Sequence, residues 1–447
     1  MTIILIYDTL KICNVSIENM KARNYKITNF VMGSGERYCL LVDRKSRLPP
    51  YYPNLYVTTQ IRNRSLSTSA MESALSAINV LLTFFDERGI DIEARFLKRE
   101  FLLPHELDSI RDFCQLSFIS AKLGRYDEPS NILEITQKSF FDDVERTGLK
   151  NQYIRLSHAA KYLGWFARHV IGGHIDKNTS HSIASMEKAL LARRRAARNR
   201  NQLNRKFSLS EAQQKVLLDV VDQNSASNPF VDSGVKSRNQ LLIHLLFYLG
   251  IRSGELLNIR IRDIDWERHQ IVIARRADEV DDPRVDQPLV KTLDRRLPLK
   301  GTLMEELRNY ILMHRKKVPN ARRHDFLLVT HKSGSYQGHP LSRSSYLSLI
   351  KRISAANPQL IELHGHLLRH TWNDNFSNFI DEQAQLPGGM KLNSADEEKI
   401  RSQEMGWQEG SGTSANYNKR HIERKGQEAS LKMQEGKLRL PRGIKDE

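Results

Sequence analysis

Tyr417 lies ten positions after Trp407 near the end of a strongly basic chain, and upstream of it stand Arg252, Lys291, His366 and Arg369. A phosphodiester is an anion that repels nucleophiles. Attack on it requires fixed positive charge around the non-bridging oxygens and a proton donor for the leaving oxygen. Two arginines, a lysine, a histidine and an indole N–H supply both without a metal ion. A phenol with an ordinary pKa of about 10 must be activated by its surroundings, so the set as a whole points to a tyrosine nucleophile directed at a DNA phosphate.

Each motif is short and open to a plainer use. In Gly250-Ile-Arg-Ser-Gly-Glu-Leu-Leu, Arg252 occupies a tight turn after an apolar helix and before a second helix that Ser253 would cap. An arginine beside a helix N-terminus suits a phosphate, and it equally suits a salt bridge to a nearby acid. Glu255, in the first turn, would hold a neighbouring catalytic side chain in register. Leu289-Val-Lys-Thr-Leu-Asp-Arg-Arg-Leu-Pro-Leu reads as a strand pair with Lys291 near its turn, with Arg296 and Lys300 as neighbours in other registers. A lysine there reaches a leaving oxygen, although a solvated lysine is commoner. His364-Gly-His-Leu-Leu-Arg-His-Thr-Trp holds one H-x-x-R pair, His366 and Arg369, on one helical face. His364 and His370 read as packing or surface residues. Trp407 suits either a core position or a phosphate oxygen, because its indole donates without ionising.

The elements that must position these residues follow from length and pattern. At 447 residues the chain exceeds one ordinary core and fits two or three domains. A net charge of +17 points to a polyanionic partner, or to a merely basic protein. Cys13, Cys39 and Cys114 form no C-x-x-C pair and have no zinc-like histidine spacing, so neither a disulfide scaffold nor a metal is expected. The start has no basic n-region, and no stretch approaches the ~20 apolar residues of a membrane span. An intracellular, soluble protein without a cofactor is expected.

Residues 1–64 mix β-prone runs (Ile3 to Tyr7, Tyr38 to Val42, Leu55 to Thr59) with Gly and Pro breakers and read as a strand-containing extension. Residues 65–175 read as helical, beginning with Met71, Leu75, Ile78, Leu81, Leu82 and Phe85 at helical spacing and continuing through 107–123, 132–141 and 153–170. Residues 176–206 read as a basic linker, helical in part, whose Arg193, Arg194, Arg195, Arg198 and Arg200 suit either phosphate tracking or a solvated face. Residues 207–447 open with Ser208 and Glu211 at capping-box spacing. A helix over 237–249, apolar nearly all round, is expected to be buried in the core. A hairpin over 259–274 follows it.

From about Ser67 onward the chain resembles the tyrosine recombinase family, of the phage-integrase type. Five features carry the resemblance in order: the helical segment from Ser67, G-I-R-S-G-E-L, the Lys291 strand ending Leu-Pro-Leu, H-L-L-R-H-T, and M-G-W followed by Tyr417. The resemblance implies a mainly α fold with a small antiparallel sheet (α+β), a helical core-binding domain and a catalytic domain closing as a clamp on double-stranded DNA. It implies that Tyr417 forms a 3′-phosphotyrosyl link, that Arg252 and Arg369 stabilise the phosphorane, that Lys291 protonates the leaving oxygen, and that His366 and Trp407 assist. It also implies paired half-sites, a dimer per site and a tetramer in synapsis, a DNA-bending accessory protein, no ATP or metal, and a cytoplasmic, nucleoid-associated location. The stretch from Asn373 to Arg401 is longer than the family's usual spacing, and Trp407 stands where histidine is commoner. A type IB topoisomerase, a DNA-binding regulator without chemistry and a metal-dependent transposase are the competing readings. A helical tail over 418–438 is expected to pack on a neighbouring protomer or to be disordered.

Overall fold

The computed structural model describes residues 24–64, 67–117, 146–173, 175–195, 208–290, 292–408 and 419–434. The expected strand at Ile3 to Tyr7, the helix at 132–141, Arg198, Arg200, Lys291 and Tyr417 lie outside the described residues. The chain forms two compact units, Met1–Met32 with Arg37–Asn201, and Gly33–Glu36 with Gln202–Glu447.

In the first unit, β1 (Tyr25–Val31) pairs antiparallel with β2 (Arg37–Asp43), from Tyr25↔Asp43 to Val31↔Arg37. The expected third strand at Leu55 to Thr59 is instead helical: α1 (Tyr51–Tyr56) runs into a π turn over Val57–Ile61. The cause is local. Asn54 bonds both the N–H and the C=O of Leu41, at 2.8 and 3.0 Å, while Thr58 and Thr59 return hydroxyl bonds to the carbonyls four residues earlier, a habit that bends helices.

Helix α2 (Thr68–Arg88) buries Met71, Leu75, Ile78, Leu81 and Phe85 and stops at Gly89, whose φ of 61° is left-handed. By length and composition α2 could cross a membrane, yet most of its apolar window is packed inside this unit. Next come α3 (Ile92–Leu97), capped by Asp91, and α4 (Pro104–Phe113), which ends before the limit expected from sequence. The long α5 (Leu149–Ile171) lies against α6 (Lys177–Ala192). One core joins Tyr38, Leu41, Tyr56 and Val57 to α2, α5 and α6. Residues 25–32 and 37–61 therefore pack into this unit's core rather than forming a separate extension. Through Ala192 the expected linker is likewise a packed helix, because Ile183, Met186 and Leu190 fall on one buried face.

The second unit opens with α7 (Glu211–Val221). Its cap is Ser210 with Gln213, not Ser208 with Glu211, because Ser208 is buried and bonds Asp374 at 3.1 Å. Helix α8 (Ser233–Leu249) has Leu241, Leu242, Ile243, Leu245 and Leu246 fully buried, as its all-round apolar pattern requires. Then follow α9 (Ser253–Asn258), β3 (Ile264–Asp265), β4 (Gln270–Ile273) and β5 (Arg295–Pro298). These strands form one antiparallel sheet in the order β3-β4-β5, so the second strand pair expected around Lys291 is the third strand of the first hairpin's sheet. Helices α10 (Gly301–Asn309), α11 (Arg343–Ala355), α12 (Gly365–Gln385), α13 (Ser394–Met405) and α14 (Lys419–Gln434) complete the unit. The tail helix α14 lies against α12 of its own chain, with Lys425 Nζ 2.9 Å from Asp381. The fold is mainly helical with small antiparallel sheets.

Candidate active site

Arg252 sits where α8 ends in Gly250, at a φ of 60°, and α9 begins. Arg252 itself, not Ser253, is the N-cap. Glu255 reaches back to its backbone N–H at 3.1 Å and to its guanidinium at 3.4 Å. The capping bond thus comes from the third helical residue, and Ser253 is already in the helix. The Glu255 side chain is fully buried, and it is shared: Thr292 donates its hydroxyl at 2.7 Å and Arg295 a guanidinium N–H at 2.8 Å. Burial would push the Glu255 carboxyl up, but Arg295, followed by Arg369 and the Thr292 bond, together hold it below its ordinary value.

Arg295 carries this network onward. It opens β5 and donates to the Glu404 carbonyl at 2.7 Å. Arg369, fully buried one turn into α12, donates to the next carbonyl, Met405, at 2.9 Å, and to Gly250 at 2.7 Å. The Leu293 N–H takes the carbonyl after that, Gly406, at 3.0 Å. The last two residues of α13 and its C-cap leave three consecutive carbonyls without intrahelical partners, and two arginines and the N–H of a residue just before β5 fill them. This clamp fixes Trp407, which is buried with its ring 5.4 Å from the Arg369 guanidinium.

Gly406 makes the clamp possible. Its φ is 63°, and a Cβ there would lie 2.8 Å from the Arg295 guanidinium and 2.9 Å from the Leu293 carbonyl. Gly406→Ala is expected to cost roughly 2–3 kcal/mol, the left-handed penalty plus displacement of the clamp, read as a lower urea midpoint.

His364 caps α12, accepting the Leu367 N–H at 3.1 Å. This gives it a defined role beyond the packing or surface residue expected. His366, two residues on, meets His370 edge to face at 4.9 Å. Its imidazole is pushed below its ordinary value by desolvation first, then by the charges of Arg369, His364 and Arg252. At neutral pH it is therefore neutral, with one ring nitrogen able to accept a proton.

The structure thus gathers Arg252, Glu255, His366, Arg369 and Trp407 at one place. It also adds Arg295, which sequence reasoning passed over in favour of Arg296 and Lys300, both exposed. A signal was available: strand alternation puts Arg295 on the buried face of Leu297. The polar stretch before Lys291 is pinned as well. Buried Arg284 bonds the carbonyls of Leu257 and Leu341 and the Asn258 side chain at 3.0 to 3.1 Å, and Arg276 pairs with Asp263. In the first unit, Arg193 bonds Asp108 at 2.9 Å, Arg194 bonds Ser157 at 3.1 Å and covers the Tyr153 ring, and Arg195 is exposed.

A carboxylate held low in the folded state contributes stability above its unfolded pKa, and that contribution is lost as pH falls through the folded value. Unfolding by urea is expected to show stability dropping below the ordinary carboxylate value of 4.5. In Glu255→Gln that acid-side decline is expected to be shallower.

Residues 208–380 match the phage integrase family. The second unit carries a phage integrase domain. Arg252, Glu255, Lys291, His366 and Arg369 lie within the match, and Trp407 and Tyr417 lie beyond it. The chain is 30% identical over 142 residues to transposase A from transposon Tn554 of Staphylococcus aureus, covering 32% of this chain and 36% of that protein. It is 24% identical over 172 residues to the Staphylococcus aureus tyrosine recombinase XerC, covering 38% and 48%. The chain thus spans less than half the length of these relatives. Among solved structures, the XerH site-specific recombinase bound to its palindromic difH substrate aligns over 82% of this chain and 81% of that one, at 16% identity and a TM-score of 0.46. The Tn1549 transposon integrase in complex with transposon right end DNA aligns over 61% and 85%, at 16% identity and a TM-score of 0.34.

Proposed function

We propose that this chain is a site-specific DNA recombinase that cuts and rejoins strands through a 3′-phosphotyrosyl intermediate, in the service of a mobile element. The observation that carries this reading is the convergence of Arg252, Glu255, His366, Arg369 and Trp407 on the turn after α8, the first four of them within the stretch that matches the phage integrase family.

The Tyr417 phenolic oxygen attacks the scissile phosphorus. The bond between phosphorus and the 5′ oxygen breaks, and Lys291 gives that oxygen a proton. Arg252 and Arg369 offset the charge on the non-bridging oxygens. His366, neutral, accepts the phenolic proton, and Trp407 donates a hydrogen bond that cannot be titrated away. A 5′-hydroxyl from a partner duplex then attacks the phosphotyrosyl ester and releases the phenol. The ester conserves the phosphodiester's bond energy, so the cycle needs neither ATP nor metal. The partners are double-stranded DNA with paired half-sites and further copies of this chain, two per site and four in synapsis, aided by a DNA-bending protein in the cytoplasm. Arg195, Arg198 and Arg200 track phosphates, while Arg193 and Arg194 fix the start of that run.

The test is to trap protein on a nicked suicide duplex carrying the element's end, digest the adduct, and map the nucleotide-bearing peptide by mass spectrometry. DNA attached to Tyr417 through a 3′-phosphate supports the reading. Attachment elsewhere, or through a 5′-phosphate, overturns it.

A further inference from the structure

The segment between α10 and α11 contains Arg315-Lys-Lys-Val-Pro-Asn-Ala-Arg-Arg-His. Arg315 is buried and donates to the carbonyls of Phe326, Ala321 and His324 at 2.8 to 2.9 Å. Asn320 takes a left-handed turn at a φ of 65°, and Val318, Ala321 and Val329 form a small core of their own. A second loop presses on the first: a Cβ on Gly338 would fall 1.9 Å from the Pro319 carbonyl, and His324 Nε2 lies 2.7 Å from the Gly338 carbonyl. One buried arginine therefore shapes the loop, and the other four cations, Lys316, Lys317, Arg322 and Arg323, are exposed. None of the four pairs with a carboxylate among the described residues.

Asp325 is the sole carboxylate in the sequence from 315 to 339. It is already committed, 3.5 Å from Arg260 and 3.2 Å from Arg262. The same stretch is tied to the chain leaving α9, because Ile261 N–H bonds the Asp325 carbonyl at 2.7 Å and Leu327 N–H bonds the Ile259 carbonyl at 2.9 Å. The backbone of the loop that carries the four charges is thus tied to the chain leaving α9. A loop backbone shaped before contact loses less conformational entropy when a ligand binds.

We propose that Lys316, Lys317, Arg322 and Arg323 form a sequence-independent docking surface for the phosphate backbone of a DNA duplex, separate from the residues that act on the scissile phosphate. It rests on the recombinase reading only in taking DNA as the polyanion. A duplex carries about one negative charge per 1.7 Å of axis, about twice the density of an extended acidic peptide at roughly 3.3 Å per residue.

The test is anisotropy titration of a random-sequence duplex against salt concentration, with native protein and with a Lys316→Gln, Lys317→Gln, Arg322→Gln, Arg323→Gln variant of unchanged melting temperature. Each lost phosphate contact lowers the slope of log K against log salt by about 0.9. The variant is expected to lose about 2 to 4 from the slope and at least ~10-fold in affinity, and Arg322→Gln with Arg323→Gln about half of that. Its covalent capture rate at saturating protein stays native. An unchanged slope overturns the proposal, as does a loss seen with polyglutamate but not with the duplex. A slope change in protein that never captures DNA covalently would remove the recombinase reading and leave this surface standing. Normal capture with an unchanged slope would do the reverse.

Discussion

Tyr417→Phe protein is expected to bind duplex DNA within about threefold of the native affinity and to form no covalent adduct. Binding draws mainly on lysine and arginine contacts to phosphates, none of which this change removes, and phenylalanine keeps the ring. What disappears is one oxygen, the atom that bonds to phosphorus in the proposed cycle. Removing the nucleophile from a covalent mechanism costs about 10⁶-fold in rate, beyond the reach of a gel assay for trapped complex. A persistent adduct in this variant would assign the chemistry to another residue.

Arg295→Met is expected to produce the second largest effect, for two separable reasons. Losing one partner of a buried ion pair strands the other, at a cost of about 3–5 kcal/mol, and here the stranded group is the Glu255 carboxylate. A domain with about 5–15 kcal/mol in hand stays folded but melts early. The second reason is positional. Arg295 joins the start of α9 to the Glu404 carbonyl, so its loss frees Arg252 and Trp407 to shift, and a misplacement of about 1 Å costs on the order of 100-fold in rate. Glu255→Gln added to Arg295→Met removes the stranded charge and is expected to recover most of the urea midpoint. The cleavage rate is expected to stay low, because the Glu404 carbonyl is still without its donor. Recovery of both together would reduce Arg295 to a structural residue.

Much of the site was legible because its motifs are local. The Arg252 turn follows from an apolar run stopped by glycine, and the His366 and Arg369 pair from helical spacing. Arg295 was harder to see because its bonds to Glu255 and Glu404 span 40 and 109 residues, and no local pattern records such partners. The cap at α9 was misassigned because the helix opens one residue earlier than Ser253 suggests: Glu255 reaches back to the Arg252 N–H, which makes Arg252 the N-cap and puts Ser253 inside the first turn. Leu55 to Thr59 misled for a related reason: its β-branched residues are held in a helical path by Asn54 and by hydroxyl bonds that propensity does not count.

The β1–β2 hairpin, α1 and the π turn after it contribute Tyr38, Cys39, Leu41, Tyr56, Val57 and Ile61 to the first unit's core. At about 1.5–3 kcal/mol per large apolar side chain, that is on the order of 10 kcal/mol, as much as a whole domain usually has to spare. A ribosome initiating at the internal Met71 codon would therefore make a product whose helical half opens along one flank.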